Sequence, residues 1–207
     1  MPEKGVILLT GYEPFGEFER NSSIEACRKL EGMVYREYRV VVEEITMDFT
    51  KVRDIIEDHI ENNKPSAIIC TGVSGAGSGI AVERIAINVN TALPPRWEGD
   101  VDPDKPLRDG GPAGYFTTLP YRKLLEALKD AKIPASLSGS AGTVGCNQIF
   151  YYTLDYLARN KIDIPAGFIH VPRLPEQAVD GRRASMSVES SARAIEAVVD
   201  ELAKHLP

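Results

Sequence analysis

Short runs rich in β-branched residues alternate with stretches of helical periodicity along the whole chain. This alternation limits the fold more than any other feature. The apolar runs predict strands over Gly5–Gly11, Tyr38–Thr46, Ala67–Thr71, Ile80–Asn88, Ala135–Leu137 and Gly167–Val171. The patterns between them predict helices over Ser22–Glu31, Phe49–Asn62, Pro120–Ala131, Cys146–Asn160 and Val188–Leu206. In the last helix Ala192, Ile195, Val198, Val199 and Leu202 recur at the helical period. Asn63-Lys64-Pro65 marks a helix stop. The chain therefore reads as α/β, and 207 residues suit one domain with a sizeable core.

Residues 91–119 break the rhythm. They hold Pro94, Pro95, Pro103, Pro106 and Pro112, with Gly110, Gly111 and Gly114. A long Pro/Gly-rich loop or arm is expected there, within a single domain spanning residues 1–207. Loops of that length are either functional or surface excursions.

A net charge of −6 argues against partners that need a basic surface, namely nucleic acid and anionic membranes. The longest apolar run near the start, Val6–Leu9, is too short for a signal peptide or a membrane span. The expectation is a mature, cytoplasmic chain. Cys27, Cys70 and Cys146 are odd in number and widely spaced, which argues against a disulfide framework. His59, His170 and His205 are scattered, so no zinc pattern exists in the sequence.

Three residues carry chemistry. Cys146 follows the Ser/Gly-rich stretch Ser136–Gly142 and stands at a helix start. Unpaired N–H groups and the helix dipole there favour a thiolate, and the same N–H groups can hold an oxyanion. His170 ends an apolar run and Pro172 follows it, which puts an imidazole at a strand's carboxyl end, where α/β sheets bind ligands. In a strand over Ile80–Asn88, Ala81, Glu83, Ile85 and Ile87 share one face, so Glu83 is the lone charge on the more apolar side. A buried carboxylate needs a partner, and an imidazole would serve. The residues alone leave other readings open: an inert buried cysteine, a histidine satisfied at a sheet edge, and an ion pair between Glu83 and an Arg or Lys. The glycine-rich stretch Gly72–Gly79 is not a phosphate loop, because no Gly-Lys-Ser/Thr occurs and a strand follows instead of a helix. It reads as room for backbone beside a small ligand.

Several motifs, in order, resemble the pyrrolidone-carboxylate peptidase (pyroglutamyl peptidase I) family of cysteine peptidases. They are Thr10-Gly11-Tyr12-Glu13-Pro14-Phe15-Gly16 with Asn21 and Ser23, Glu83 through Asn88, Gly114 through Pro120, Ser140-Ala141-Gly142 through Cys146-Asn147, and Gly167–Pro172 with Pro175-Glu176-Gln177. The resemblance implies a three-layer α/β/α sandwich around a twisted, mostly parallel or mixed sheet. It implies a catalytic triad of Cys146, His170 and Glu83, and removal of N-terminal pyroglutamate from peptides through an acyl-enzyme. Metal and cofactor would play no part, and a homo-oligomer, dimer or tetramer, is implied. Tyr12 and Phe15 align with the family's aromatic pocket, and Val73, Val144 and Gly145 would line it as well.

The chain also departs from the family pattern. Leu93 stands where an Arg associated with the oxyanion site is common, which turns attention to the N–H groups at Cys146, to Arg96 and to Arg108. Val73 and Gly77 replace a usual Gln and Arg, and Tyr12 replaces a usual Phe. Gly145 stands where bulkier residues are usual, which would widen the pocket. A thiol amidase or acyl hydrolase with a different small acyl substrate, or a non-catalytic ligand-binding relative, is the alternative.

Overall fold

Three runs, Gly5–Tyr12, Ala67–Val73 and Ala166–Val171, are apolar with hardly any alternation, the mark of strands covered on both faces. In the computed structural model, which describes residues 3–16, 18–74, 77, 79–91 and 105–207, they lie side by side at the centre of a seven-stranded sheet. In chain order the elements begin with β1 (Gly5–Tyr12), α1 (Ser22–Arg28), β2 (Val34–Tyr35), β3 (Tyr38–Ile45), α2 (Val52–Asn63) and β4 (Ala67–Val73). They continue with β5 (Ile80–Glu83), β6 (Ile85–Ile87), β7 (Gly114–Phe116), α3 (Tyr121–Asp130), β8 (Ala135–Ser138), α4 (Gly145–Asn160), β9 (Ala166–Val171) and α5 (Val188–Ala203).

The strand order is β2-β3-β1-β4-β9-β5-β8. Strands β3, β1, β4 and β9 run parallel, and β5 and β8 run together against them. The sheet is therefore mixed but mostly parallel, as expected. Helices α1, α3 and α5 cover one face around Leu9, Ile69, Ile169 and Val198. Helices α2 and α4 cover the other around Leu8, Ile68, Phe150 and Phe168. Local chemistry sets the helix starts: Asn21 accepts from the Ser23 N–H at 2.9 Å to cap α1, and Ser187 accepts from the Ser190 N–H to cap α5.

The expected strand Ile80–Asn88 is two strands in two sheets. It breaks at Arg84, whose N–H donates to Ser138 O while its own carbonyl accepts from the Thr117 N–H. Its guanidinium lies 5.3 Å from the centre of the Tyr121 ring. Beyond it β6 pairs antiparallel with β7, a strand inside the stretch expected to be loop. The alternation thus has a different meaning. Within β5, Ile80 and Val82 enter the core under α3 and α5, and Ala81 and Glu83 face a cleft. Of the 91–119 stretch, residues 92–104 lie outside the described residues.

Two contacts on α4 hold the β6–β7 hairpin and the segments beside it. Asn147, fully buried, accepts from the Ile87 N–H and donates to Ile87 O and Val89 O at 2.9, 2.8 and 3.1 Å. Asp155, 1% exposed, accepts from the Arg108 and Arg159 guanidinium groups and from the Tyr115 hydroxyl, each at 2.8 Å. Burial raises the Asp155 pKa, but those three hydrogen bonds and the Arg108 charge outweigh it and hold the carboxyl below its usual range. Its contribution to stability is present above the unfolded-state value and lost as pH falls below it. Asp155→Ala leaves the Arg108 guanidinium and the Tyr115 hydroxyl without this acceptor, while Arg159 keeps Glu57, so urea unfolding should report a loss of roughly 3 kcal/mol. A loss under about 0.5 kcal/mol would show that the network does not hold the hairpin.

Candidate active site

The carboxyl ends of β1, β4 and β9 meet the start of α4 at a cleft of about 860 Å³. Sheet order arranges its walls. Tyr12 from β1, with Phe15, Met47 and Phe49 from the loops after β1 and β3, forms one end. Ala81 of β5 and Ser136 and Ser138 of β8 form the other. Cys146 and His170 lie between, over the central strands. All eight residues singled out in the sequence, Tyr12, Phe15, Val73, Glu83, Val144, Gly145, Cys146 and His170, line this one cleft.

His170 and Glu83 meet because β9 and β5 are adjacent antiparallel strands, with Ala81 opposite His170 and Glu83, two residues on, turned to the same cleft. His170 Nδ1 lies 2.8 Å from Glu83 Oε1. The Phe168 ring packs edge-on against the imidazole at 4.8 Å between centres. Both members are buried, at 8% and 2% exposure. With Nδ1 donating to the carboxylate, Nε2 is the nitrogen left for the thiol. Burial lowers the imidazole pKa, but the charge of Cys146, a hydrogen bond with it, and the bond and charge of Glu83 together raise it to about 9. Because the folded-state value is raised, the stability contributed by His170 is full below an unfolded pKa of about 6.5 and is lost as pH rises through about 9. Glu83 Oε2 is buried without a hydrogen-bond partner among the described residues.

Cys146 is half-buried in the first turn of α4. Val144 caps that helix without a side-chain bond, so the N–H groups of the first turn, which borders the cleft, are unclaimed by a side-chain cap. Cys27 and Cys70 are unlike it. Burial pushes their thiols up to about 12 and about 11, and both lie inside the core. Among the described residues no cluster of His, Cys, Asp and Glu could hold a metal ion, and no helix is long and apolar enough to cross a membrane.

Other residues enter the site unannounced by the sequence patterns. Phe49, expected to open a helix, lies in the loop before α2, and its ring walls the cleft beside Gly145. Met47 stands nearby, and Arg183 is the one Arg or Lys among the described lining residues. Arg108 does not line the cleft, because it is bound to Asp155; Leu93 and Arg96 lie outside the described residues. Gly72, read in the sequence as part of a loop, belongs to β4. A Cβ on it would lie 2.8 Å from Cys146 Sγ and 2.9 Å from the Phe168 ring. The thiol therefore rests on bare backbone.

A thiol at a helix start, a buried imidazole and a carboxylate behind it form the arrangement of a cysteine hydrolase on an α/β scaffold. The family model described as pyroglutamyl peptidase matches residues 5–205. Pyrrolidone-carboxylate peptidase of Brevibacillus brevis is 39% identical over 96% of this chain and 93% of its own, and that of Thermococcus onnurineus 40% identical over 93% and 96%. The crystal structure of pyroglutamyl peptidase I from Bacillus amyloliquefaciens superposes with a TM-score of 0.93 at 35% identity, covering 98% of both chains. The chain belongs to the pyroglutamyl peptidase family.

Gly72→Ala tests the seat of the thiol. Overpacking there should cost about 1–3 kcal/mol of stability. It should also slow alkylation of Cys146 by iodoacetamide. An unchanged melting temperature together with an unchanged alkylation rate would refute the contact.

Proposed function

We propose that this chain removes N-terminal pyroglutamate from peptides, with Cys146 as nucleophile, His170 as acid and base, and Glu83 as the group that orients and charges the imidazole. The observation that carries the reading is the alignment of Cys146, His170 and Glu83 in one cleft of a chain belonging to this family. His170 takes the thiol proton, and Cys146 Sγ attacks the pyroglutamyl carbonyl. The oxyanion forms beside the first-turn N–H groups of α4. As the tetrahedral intermediate collapses, the C–N bond breaks and His170 gives its proton to the leaving amine. Water, deprotonated by His170, then attacks the thioester, and the acid leaves with Cys146 restored.

The cleft suits a neutral lactam. Its Tyr12–Phe49 end is aromatic and apolar. Glu83 is the one carboxylate among the described lining residues, and it is engaged by His170, so no lining carboxylate is left to bind a free ammonium. The serine-bearing end over β5 and β8 is where the leaving peptide would lie. The alternative of a different small acyl group, motivated by Leu93, Val73 and Gly77, is disfavoured by family membership, and Gly145 does not widen the pocket. Instead, a side chain at 145 would run into Phe49, whose ring already occupies the space. A non-catalytic role is likewise disfavoured by family membership.

We also propose that the protein works in the cytoplasm as a homo-oligomer, dimer or tetramer, without nucleic acid or membrane. The negative charge and the exposed Phe116 and Val89 support this. Light scattering at micromolar concentration should give a mass of two or four chains, and a monomer would count against it.

Wild-type protein should hydrolyse a pyroglutamyl anilide under reducing conditions, and Cys146→Ser should lower kcat by more than about 10⁴. Absence of wild-type turnover at any pH would sink the assignment. Because the leaving amine needs the proton on His170, kcat/KM should fall as pH rises through about 9. An alkaline limb centred well below pH 8 would contradict the raised imidazole pKa.

A further inference from the structure

Tyr12 and Gly145, from two separate site motifs of the chain, are in contact. The Tyr12 hydroxyl donates to the Gly145 carbonyl at 2.6 Å, across 133 residues of sequence, and both residues are buried. Gly145 is the first residue of α4 and immediately precedes Cys146. A Cβ built on it would lie 2.5 and 2.8 Å from Phe49 Cε1 and Cζ, and 3.3 Å from the Tyr12 hydroxyl oxygen. The phenol and the Phe49 ring thus occupy the room that a side chain at 145 would need.

We propose that Tyr12 is a positioning residue whose hydroxyl fixes the Gly145 carbonyl, and with it the first turn of α4 and the direction of the Cys146 thiol, while Tyr12 and Phe49 together build the wall of the acyl pocket in place of a side chain at 145. Such a tether suits this helix. Val144 supplies no side-chain cap, and no acidic residue stands in the first turn to hold it. The phenol is also a dependable donor. Burial, and then the charges of Cys146 and Cys70, push its pKa well above 10, so it keeps its proton across the working range. Its ring, which lines the cleft, is then oriented by a bond that the substrate does not make. The wall it shares with Phe49 is set by three residues at once, so a change at any one is felt at the other two.

The proposal rests on the nucleophile assigned above to Cys146, and three variants test it: Tyr12→Phe, Gly145→Ala, and Gly145→Ala combined with Phe49→Leu. Each is assayed for kcat and KM on a pyroglutamyl anilide, for the rate of Cys146 alkylation by iodoacetamide at pH 7, and for melting temperature. Tyr12→Phe should lower kcat roughly five- to tenfold, with KM moved by less than about threefold, and should alter the alkylation rate. Gly145→Ala should lower kcat by about 10², and adding Phe49→Leu should recover roughly tenfold of that loss.

A rise in KM at constant kcat for Tyr12→Phe would overturn the proposal, because the hydroxyl would then be contacting substrate. So would a fall in melting temperature with kcat and alkylation unchanged, which is the signature of a purely structural bond. Failure of Phe49→Leu to relieve Gly145→Ala would overturn the shared wall. Should wild type not cleave the anilide at all while Tyr12→Phe still changes the alkylation rate, the substrate assignment falls and the tether stands.

Discussion

Everything at the site depends on one buried pairing, His170 with Glu83. A carboxylate at 2% exposure and an imidazole at 8% are both far from water, and neither could be kept there alone. The sheet makes them neighbours by setting β5 beside β9, with Ala81 opposite His170 and Glu83 two residues further along the same cleft-facing side. This placement carries a second requirement. The chain must leave the sheet directly after Glu83, and Arg84 arranges this by bonding to Ser138 on one side and Thr117 on the other. The β6–β7 pair that follows is anchored to α4 through Asn147, the residue after Cys146. Carboxylate, hairpin and thiol thus form a closed circuit of contacts.

Much of this was legible in the sequence because two periodicities suffice to show it. The buried runs of β1, β4 and β9 and the amphipathic pattern of α5 are local properties, and their strand and helix starts fall within about a residue of expectation. The positions of Cys146 and His170 at element ends were equally local. The nonlocal features were not legible. Alternation over Ile80–Asn88 looked like a single strand because Glu83 and Ile85 both obey a period of two; the pattern carries no sign that the backbone changes sheets at Arg84. The burial of Glu83 was expected, but for the wrong face: Ile80 and Val82 make the apolar side, and the carboxylate faces the cleft.

Phe49, Gly72 and the Tyr12–Gly145 bond were missed for a related reason. Each matters only through a residue distant in sequence, and composition gives no signal for that. Gly72 lay inside a glycine-rich stretch, where one glycine looks like another. Gly145 was read as added space because a missing side chain suggests a void, yet dense interiors fill such voids from the other side, here with an aromatic ring.

The resting place of Cys146 on Gly72 has a wider meaning. Side chains in a core change rotamer and drift as their neighbours are exchanged, but the backbone at Gly72 belongs to the middle strand of a seven-stranded sheet and is paired there with His170 of β9. A thiol referenced to that backbone takes its height above the sheet from a strand and not from a side chain. Both helical layers can then be rebuilt over time, residue by residue, without the sulfur losing its level.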